Sequence, residues 1–306
     1  MRSRHCRPDA HRQPRRPVRG GLAHTLSWAL RILCLLVPVG AHAQAPTLLS
    51  ALGFEPVVWE RWEVRAADRQ ALLTRSGIPL DSFPSRDAFH VVDVDADGLA
   101  DLVYSGECLR MQPPCEGTVT RVYRNTGAGF VLAFEARPYH VAALVRNEWR
   151  GAPDFVLTED DAGDCSTIAG LMVLRPTSPP DTALFRVVNR LRYFPGMQWP
   201  GVRLPSPVSV RVLQDRYNLR FAPSADDSTA GDFPCAEDYR GNVVATFGSG
   251  ATAVALAQLR NGTRLLYFVM TDSASTFTTA FPGLGGASGR LLGWMSSRFL
   301  LPIPTR

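Results

Sequence analysis

The chain contains no lysine, so all 33 of its basic side chains are arginines. Without lysine there is no phosphate-cradling Gly-Lys-Ser/Thr loop, and no dinucleotide fingerprint appears. Arginine used to the exclusion of lysine reads as the bias of a GC-rich genome, not as a binding surface. The formal charge of +5 is concentrated at one end. Residues 1–31 hold eight arginines and a single acid, Asp9, which leaves 25 arginines against 27 acids in the remainder. A basic total invites a nucleic-acid reading, but here the excess lies in the first 31 residues, so no nucleic-acid partner is expected. Histidine is equally scarce, with only His90 and His140 beyond residue 43. The Gly-x-Ser-x-Gly elbow of a serine hydrolase is absent, and Gly248-Ser249-Gly250 reads as a glycine turn between strands. Helical periodicity is almost missing after the first 43 residues, and no apolar run is long enough to span a bilayer.

What is present begins with an address. The arginine-rich start is followed by an apolar run, Ile32–Val39, and then by Ala41-His42-Ala43, a small-x-small cleavage pattern before Gln44. Leu33 precedes Cys34 where a lipoprotein signal needs a small residue, and Arg15-Arg16 lacks the flanks of a twin-arginine signal. Residues 1–43 are therefore expected to be a cleaved secretory signal, and residues 44–306 a single exported domain, periplasmic or extracellular. The long basic lead-in also makes Val18 a candidate translation start. Four cysteines lie beyond the signal, Cys108, Cys115, Cys165 and Cys235, an even number in an oxidising compartment. Three pairings are possible, and Cys108–Cys115 with Cys165–Cys235 is favoured because Cys108 and Cys115 flank one short loop.

The densest chemistry lies in Val92-Asp93-Val94-Asp95-Ala96-Asp97-Gly98-Leu99-Ala100-Asp101-Leu102-Val103-Tyr104. Alternating aspartates repel one another unless positive charge sits between them. Asp93, Asp95 and Asp97 project to one side of a tight loop, Gly98 permits the reversal, and the Leu99 carbonyl with the Asp101 side chain can close an oxygen cage. A hard cation such as Ca²⁺ prefers such a cage. A helix–loop–helix calcium site wants a bidentate glutamate at its twelfth position, which is Tyr104 here, and a β-type run follows in place of a helix. Further on, Val122-Tyr123-Arg124-Asn125-Thr126-Gly127-Ala128-Gly129-Phe130 reads as strand, glycine turn and aromatic. Together the two segments, 88–130, resemble one FG-GAP or VCBS-type repeat, the blade unit of integrin-α-like β-propellers. That resemblance implies bound calcium between two strands of a blade.

The motif recurs in weakened form. Gly98–Tyr104 aligns with Gly151–Leu157, placing Asp101 and Asp154 in equivalent positions 53 residues apart. Asn261–Val269 is a fainter copy, and Val210–Asp215 with Tyr217–Phe221 could be another without its loop. In the second copy the positions of Asp93, Asp95 and Asp97 are Arg146, Glu148 and Arg150, and in the copy near Gly262 they are Ala257, Leu259 and Asn261. Only one cation site is therefore expected. Short β-branched and aromatic runs punctuated by 24 prolines and 25 glycines indicate an all-β domain. The expected architecture is a β-propeller of about five, between four and seven, degenerate four-stranded blades, with a β-sandwich as the alternative.

Other groups are weaker. Glu159, Asp160, Asp161 and Asp164 form one acidic loop ending at Cys165, and Asp226, Asp227 and Asp232 another ending at Cys235, with Glu237 and Asp238 beyond. Both read as solvated loops. Trp59, Trp62, Trp149, Trp199 and Trp294 could line a carbohydrate site but fit better as packing, and Asn261-Gly262-Thr263 fits a hairpin turn. The expected function is a binding or scaffolding module for a protein or carbohydrate ligand, with structural calcium, monomeric or part of an envelope complex. The alternative is a secreted hydrolase or lyase acting on polysaccharide, carried by fold analogy alone.

Overall fold

The computed structural model describes residues 47–107, 117–147, 151–159, 168–177, 183–228, 241–279 and 289–304. The segment 1–43 expected to be a secretory signal, Cys108, Cys115, Cys165 and Cys235, Glu148, Trp149, Arg150 and most of both acidic loops lie outside these residues. No helix among the described residues is long and apolar enough to cross a membrane.

The described residues form an all-β fold preceded by two short α-helices. Helix α1 (Leu48–Leu52) is capped by Thr47, whose hydroxyl accepts from the Ser50 amide at 3.2 Å, and it ends at Gly53 in the left-handed region (φ 81°). Helix α2 (Arg69–Arg75) buries Leu72 and Leu73.

Two consecutive four-stranded antiparallel meanders follow. The first is β1 (Phe89–Val92), β2 (Asp101–Glu107), β3 (Thr118–Asn125) and β4 (Phe130–Ala136). The second is β5 (Tyr139–Arg146), β6 (Pro153–Glu159), β7 (Ala169–Pro176) and β8 (Phe185–Tyr193). Strand periodicity sends alternate side chains to opposite faces, and here both faces are covered. Phe89, Val91, Leu102 and Tyr104 join Leu72, Leu73 and Phe83 of the amino-terminal segment. Val92, Val103 and Val122 instead meet Phe155, Leu157, Met172 and Leu174 of the second meander. On the opposite face of β6, Val156 joins Leu171 and Leu191 in the largest core, which holds Phe247, Phe268 and Trp294. The first meander, the second and the carboxy-terminal strands are thus layered in sequence order. The Ser105 hydroxyl accepts from the Val141 amide (2.9 Å) and the Thr120 hydroxyl donates to the Tyr139 carbonyl (2.9 Å), tying the first two layers together.

Beyond β8 the regular order stops. Strands β9 (Arg203–Val212), β10 (Tyr217–Arg220), β11 (Val243–Phe247), β12 (Thr252–Asn261), β13 (Arg264–Thr271), β14 (Phe277–Thr278), β15 (Arg290–Ser296) and β16 (Leu300–Pro302) complete the fold. The path β16-β9-β12-β13-β15 joins the second meander through a parallel β15–β8 contact, and β10-β11-β14 branches from it. Among the described residues no sheet closes on itself. The segments Val210–Asp215 and Tyr217–Phe221 do contribute strands, but β9 pairs with β12 and β16 while β10 pairs with β11 and β15, so they are not one hairpin. The chain turns between them at Arg216, whose φ of 54° sends β10 away from β9. The Gly262 turn behaves as expected: Asn261 opposes Arg264 across a tight β12–β13 hairpin.

Candidate metal centre

The aspartate loop begins where the β1–β2 ladder ends, at the pair Val92–Asp101. Asp101 is fully buried, and its carboxylate folds back over the loop: one oxygen accepts from the Val94 amide (2.9 Å), the other from the Asn125 amide (2.7 Å). Asp93 accepts from the Gly98 amide (3.1 Å), Asp95 from the Asp97 amide (3.3 Å) and Asp97 from the Leu99 amide (2.8 Å). These short side-chain-to-backbone bonds are what aspartates offer in place of regular structure. Two left-handed residues close the loop, Ala96 (φ 60°) and Gly98 (φ 83°). Glycine accepts that conformation freely, whereas alanine there costs on the order of 1 kcal/mol.

One carboxylate oxygen from each of Asp93, Asp95 and Asp101 lies within 4.8 Å of the others. Oxygens arranged around one Ca²⁺ at about 2.4 Å can be at most about 4.8 Å apart, so the spacing fits that ion. The donor set is entirely oxygen, as a hard cation requires. The Asp93 Oδ1 atom is buried with no hydrogen-bond partner, a costly state for an anionic oxygen and the one a cation would relieve. Burial pushes the Asp101 carboxyl up to about 7, against the pull of its two backbone N–H donors, and burial followed by the neighbouring Asp97 charge raises Asp95.

Of the four expected carboxylate ligands, the loop therefore gathers three. Asp97 is turned toward Arg124, whose Nη2 lies 3.3 Å from its Oδ2, and its Oδ1 accepts from the Leu99 amide. Arg124 also places Nε 2.7 Å from Asp95 Oδ2, close enough for an ion pair but without hydrogen-bond alignment on either atom. Neither Arg124 nor Asn125 was marked by the aspartate motif. Asn125 clamps the loop twice, through its amide to Asp101 and through its side-chain Nδ2 to the Ala100 carbonyl (3.1 Å). The signal for both is register: β2 and β3 pair with Leu102 opposite Tyr123, which brings Arg124 and Asn125 to the loop.

The second copy solves the same problem differently. Asp154, at the place of Asp101, is buried, and Arg175 holds it through Nε (3.0 and 3.1 Å) and Nη2 (2.6 Å). Arg175 follows Leu174, the partner of Phe155, just as Arg124 follows Tyr123, the partner of Leu102. Gly151 (φ 73°) takes the role of Gly98, and a Cβ built on it would lie 3.8 Å from that of Ala96, so the two loops are neighbours. Arg146 lies over the Trp62 ring (5.6 Å).

The remaining candidates, where they are described, pack or pair with other residues of the fold. His90 stacks beneath Trp59 (ring centroids 3.7 Å apart), and its Nδ1 is 3.1 Å from Glu63, which is also bound by Arg69 at 2.6 Å. His140 shares a 3.0 Å hydrogen bond with the Thr158 hydroxyl. Glu159 pairs with Arg192, and Asp227 with Arg220. Trp294 is buried and donates to the Gln198 carbonyl (2.8 Å), while Trp199 packs against Phe268. No protein-family model, no curated protein and no solved structure matches the chain.

Proposed function

We propose that the chain is an exported calcium-stabilised module with a binding or scaffolding role, built from FG-GAP/VCBS-type repeats in a propeller-like arrangement. The observation that carries the metal is the gathered oxygen set of Asp93, Asp95 and Asp101, with the buried Asp93 Oδ1 left without a partner. Asp97 and the Leu99 carbonyl are further oxygen donors in the same loop. Calcium there would supply fixed positive charge; the protein's residues do the rest by holding β1 and β2 in register at the loop. Two successive four-stranded meanders, layered face to face in sequence order, support the blade reading. The signal-like residues 1–43 support export. A binding role is favoured over hydrolysis because the histidine–acid pair His90–Glu63 is covered by Trp59 and committed to Arg69.

Extracellular calcium modules bind with dissociation constants of about 10⁻⁴ to 10⁻³ M. At calcium tenfold above such a constant, the native state gains about 1.4 kcal/mol, a rise in Tm of about 3–5 °C for a domain of this size. Thermal unfolding of residues 44–306 in calcium against chelator tests this. An equal rise in an Asp93→Asn, Asp95→Asn variant would remove the site.

A further inference from the structure

A second site lies away from the aspartate loop, where the β12–β13 turn meets the 3-10 turn Ser297–Phe299. A cavity of about 440 Å³ there is lined by Arg220, Arg264 and Arg298, with Thr263, Ser297 and Tyr217 among its other lining residues. A neighbouring cavity of about 450 Å³ shares Arg264 with it. Three guanidinium groups around one cavity repel one another, and among the described residues only that of Arg220 is answered by an acid. Asp227 is used by Arg220, through Nε at 2.7 Å, and by the Asn218 side chain at 3.0 Å. Asp226 accepts from the amide and hydroxyl of Ser228 (2.9 and 2.6 Å). Among the described residues neither Arg264 nor Arg298 has a carboxylate within 4.0 Å. Arg264 has one long hydrogen bond, to the Ala225 carbonyl at 3.5 Å, and the Arg298 guanidinium lies over the Phe299 ring at 5.0 Å.

Arg220 gives the cavity a rigid wall. Its side chain is only 9% exposed, and it is fixed by Asp227 and by the Asn218 carbonyl (3.1 Å to Nη1). Its Nη2 has no partner among the described residues. A buried, pre-oriented arginine beside two exposed ones is the arrangement that recognises planar or tetrahedral oxyanions through paired N–H donors. The volume falls within the range of about 300–1,000 Å³ typical of small-ligand pockets, more room than a bare oxyanion fills. Tyr217 and Phe299 offer apolar faces beside the charges.

The geometry points to an oxyanion-binding pocket for an anionic, sugar-sized ligand, with Arg264 and Arg298 as the charged contacts and Arg220 as the fixed wall. The oxyanion can be a phosphate, a sulfate or a uronate carboxylate. Calorimetric titration in calcium-free buffer at matched ionic strength separates these, using inorganic phosphate, sulfate, glucuronate and neutral glucose as probes. At least one anion is expected to bind, more weakly as salt rises, and glucose is expected not to. Arg264→Gln, Arg298→Gln should weaken that binding at least tenfold, while Arg264→Lys, Arg298→Lys should retain part of it. Both positions are exposed, so Tm should stay within a degree or two of wild type. Tighter binding of phosphate or sulfate names that tetrahedral oxyanion as the recognised group, and tighter glucuronate names a uronate. Absence of binding by every anion, equal binding of glucose, or unchanged affinity in the glutamine variant would overturn the site. None of these readouts depends on calcium, so the fate of the metal centre is decided separately.

Discussion

The first and second meanders share one frame and differ in how they balance one buried carboxylate. In the second, Asp154 is answered by an arginine of the same chain, Arg175, at 2.6 Å. In the first, Arg124 occupies the corresponding register but is drawn outward to Asp95 and Asp97. Asp101 is then left to two backbone N–H groups, and Asp93 to no partner on one oxygen. A counter-charge from the adjacent strand answers the buried carboxylate of the second meander. The loop of the first carries more carboxylates than its one arginine can balance. Where the first meander has Asp101, the second has Asp154, and an arginine one strand away answers it.

The largest expected effect comes from Asp101→Ala. It strands the buried amide of Val94 and the part-buried amide of Asn125, a buried unsatisfied donor costing about 1–3 kcal/mol, so chemical denaturation should show a loss of about 2–4 kcal/mol with or without calcium. Asp101→Asn keeps an acceptor and should lose less while abolishing the calcium response. In the second meander, Arg175→Ala leaves Asp154 buried without its partner. About 1–3 kcal/mol should disappear, equally in calcium and in chelator, and a calcium-dependent loss would break the contrast between the two meanders.

Arg124→Gln sharpens the contrast from the other side. Removing a positive charge that competes for Asp95 should tighten calcium binding several-fold, read by calorimetry, while lowering calcium-free stability by no more than about 1 kcal/mol. Proton competition gives the smallest effect. The metal-free folded state holds the Asp101 carboxyl near 7, above its ordinary 3.8, so between about pH 4 and 7 it carries a proton the unfolded chain has lost. Stability from this group is therefore present at low pH and declines as pH rises toward 7. Calcium requires the carboxylate, so its binding releases that proton. The calcium-induced rise in Tm should shrink as pH falls from 8 to 5.5.

The parts legible in the sequence were those encoded locally. Alternating aspartates, one glycine and a β-branched run within thirteen residues mark the loop and the strand after it, and the recurrence at Gly151–Leu157 marks the second copy. What the sequence left dark depends on strand register. Arg124 and Asn125 reach the loop only because β3 pairs with β2, and Glu63 meets His90 across 27 residues. The carboxy-terminal order was illegible for the same reason: β9 finds its partners 40 residues or more downstream, past the local turn that a sequence pattern can see.

The most direct test is calorimetric calcium titration of residues 44–306 beside the Asp93→Asn variant. The account predicts one site per chain in the wild type, with a dissociation constant of about 10⁻⁴ to 10⁻³ M, and at least a tenfold loss in the variant with an unchanged calcium-free Tm. No heat of binding in the wild type, or the same affinity in both proteins, would contradict it.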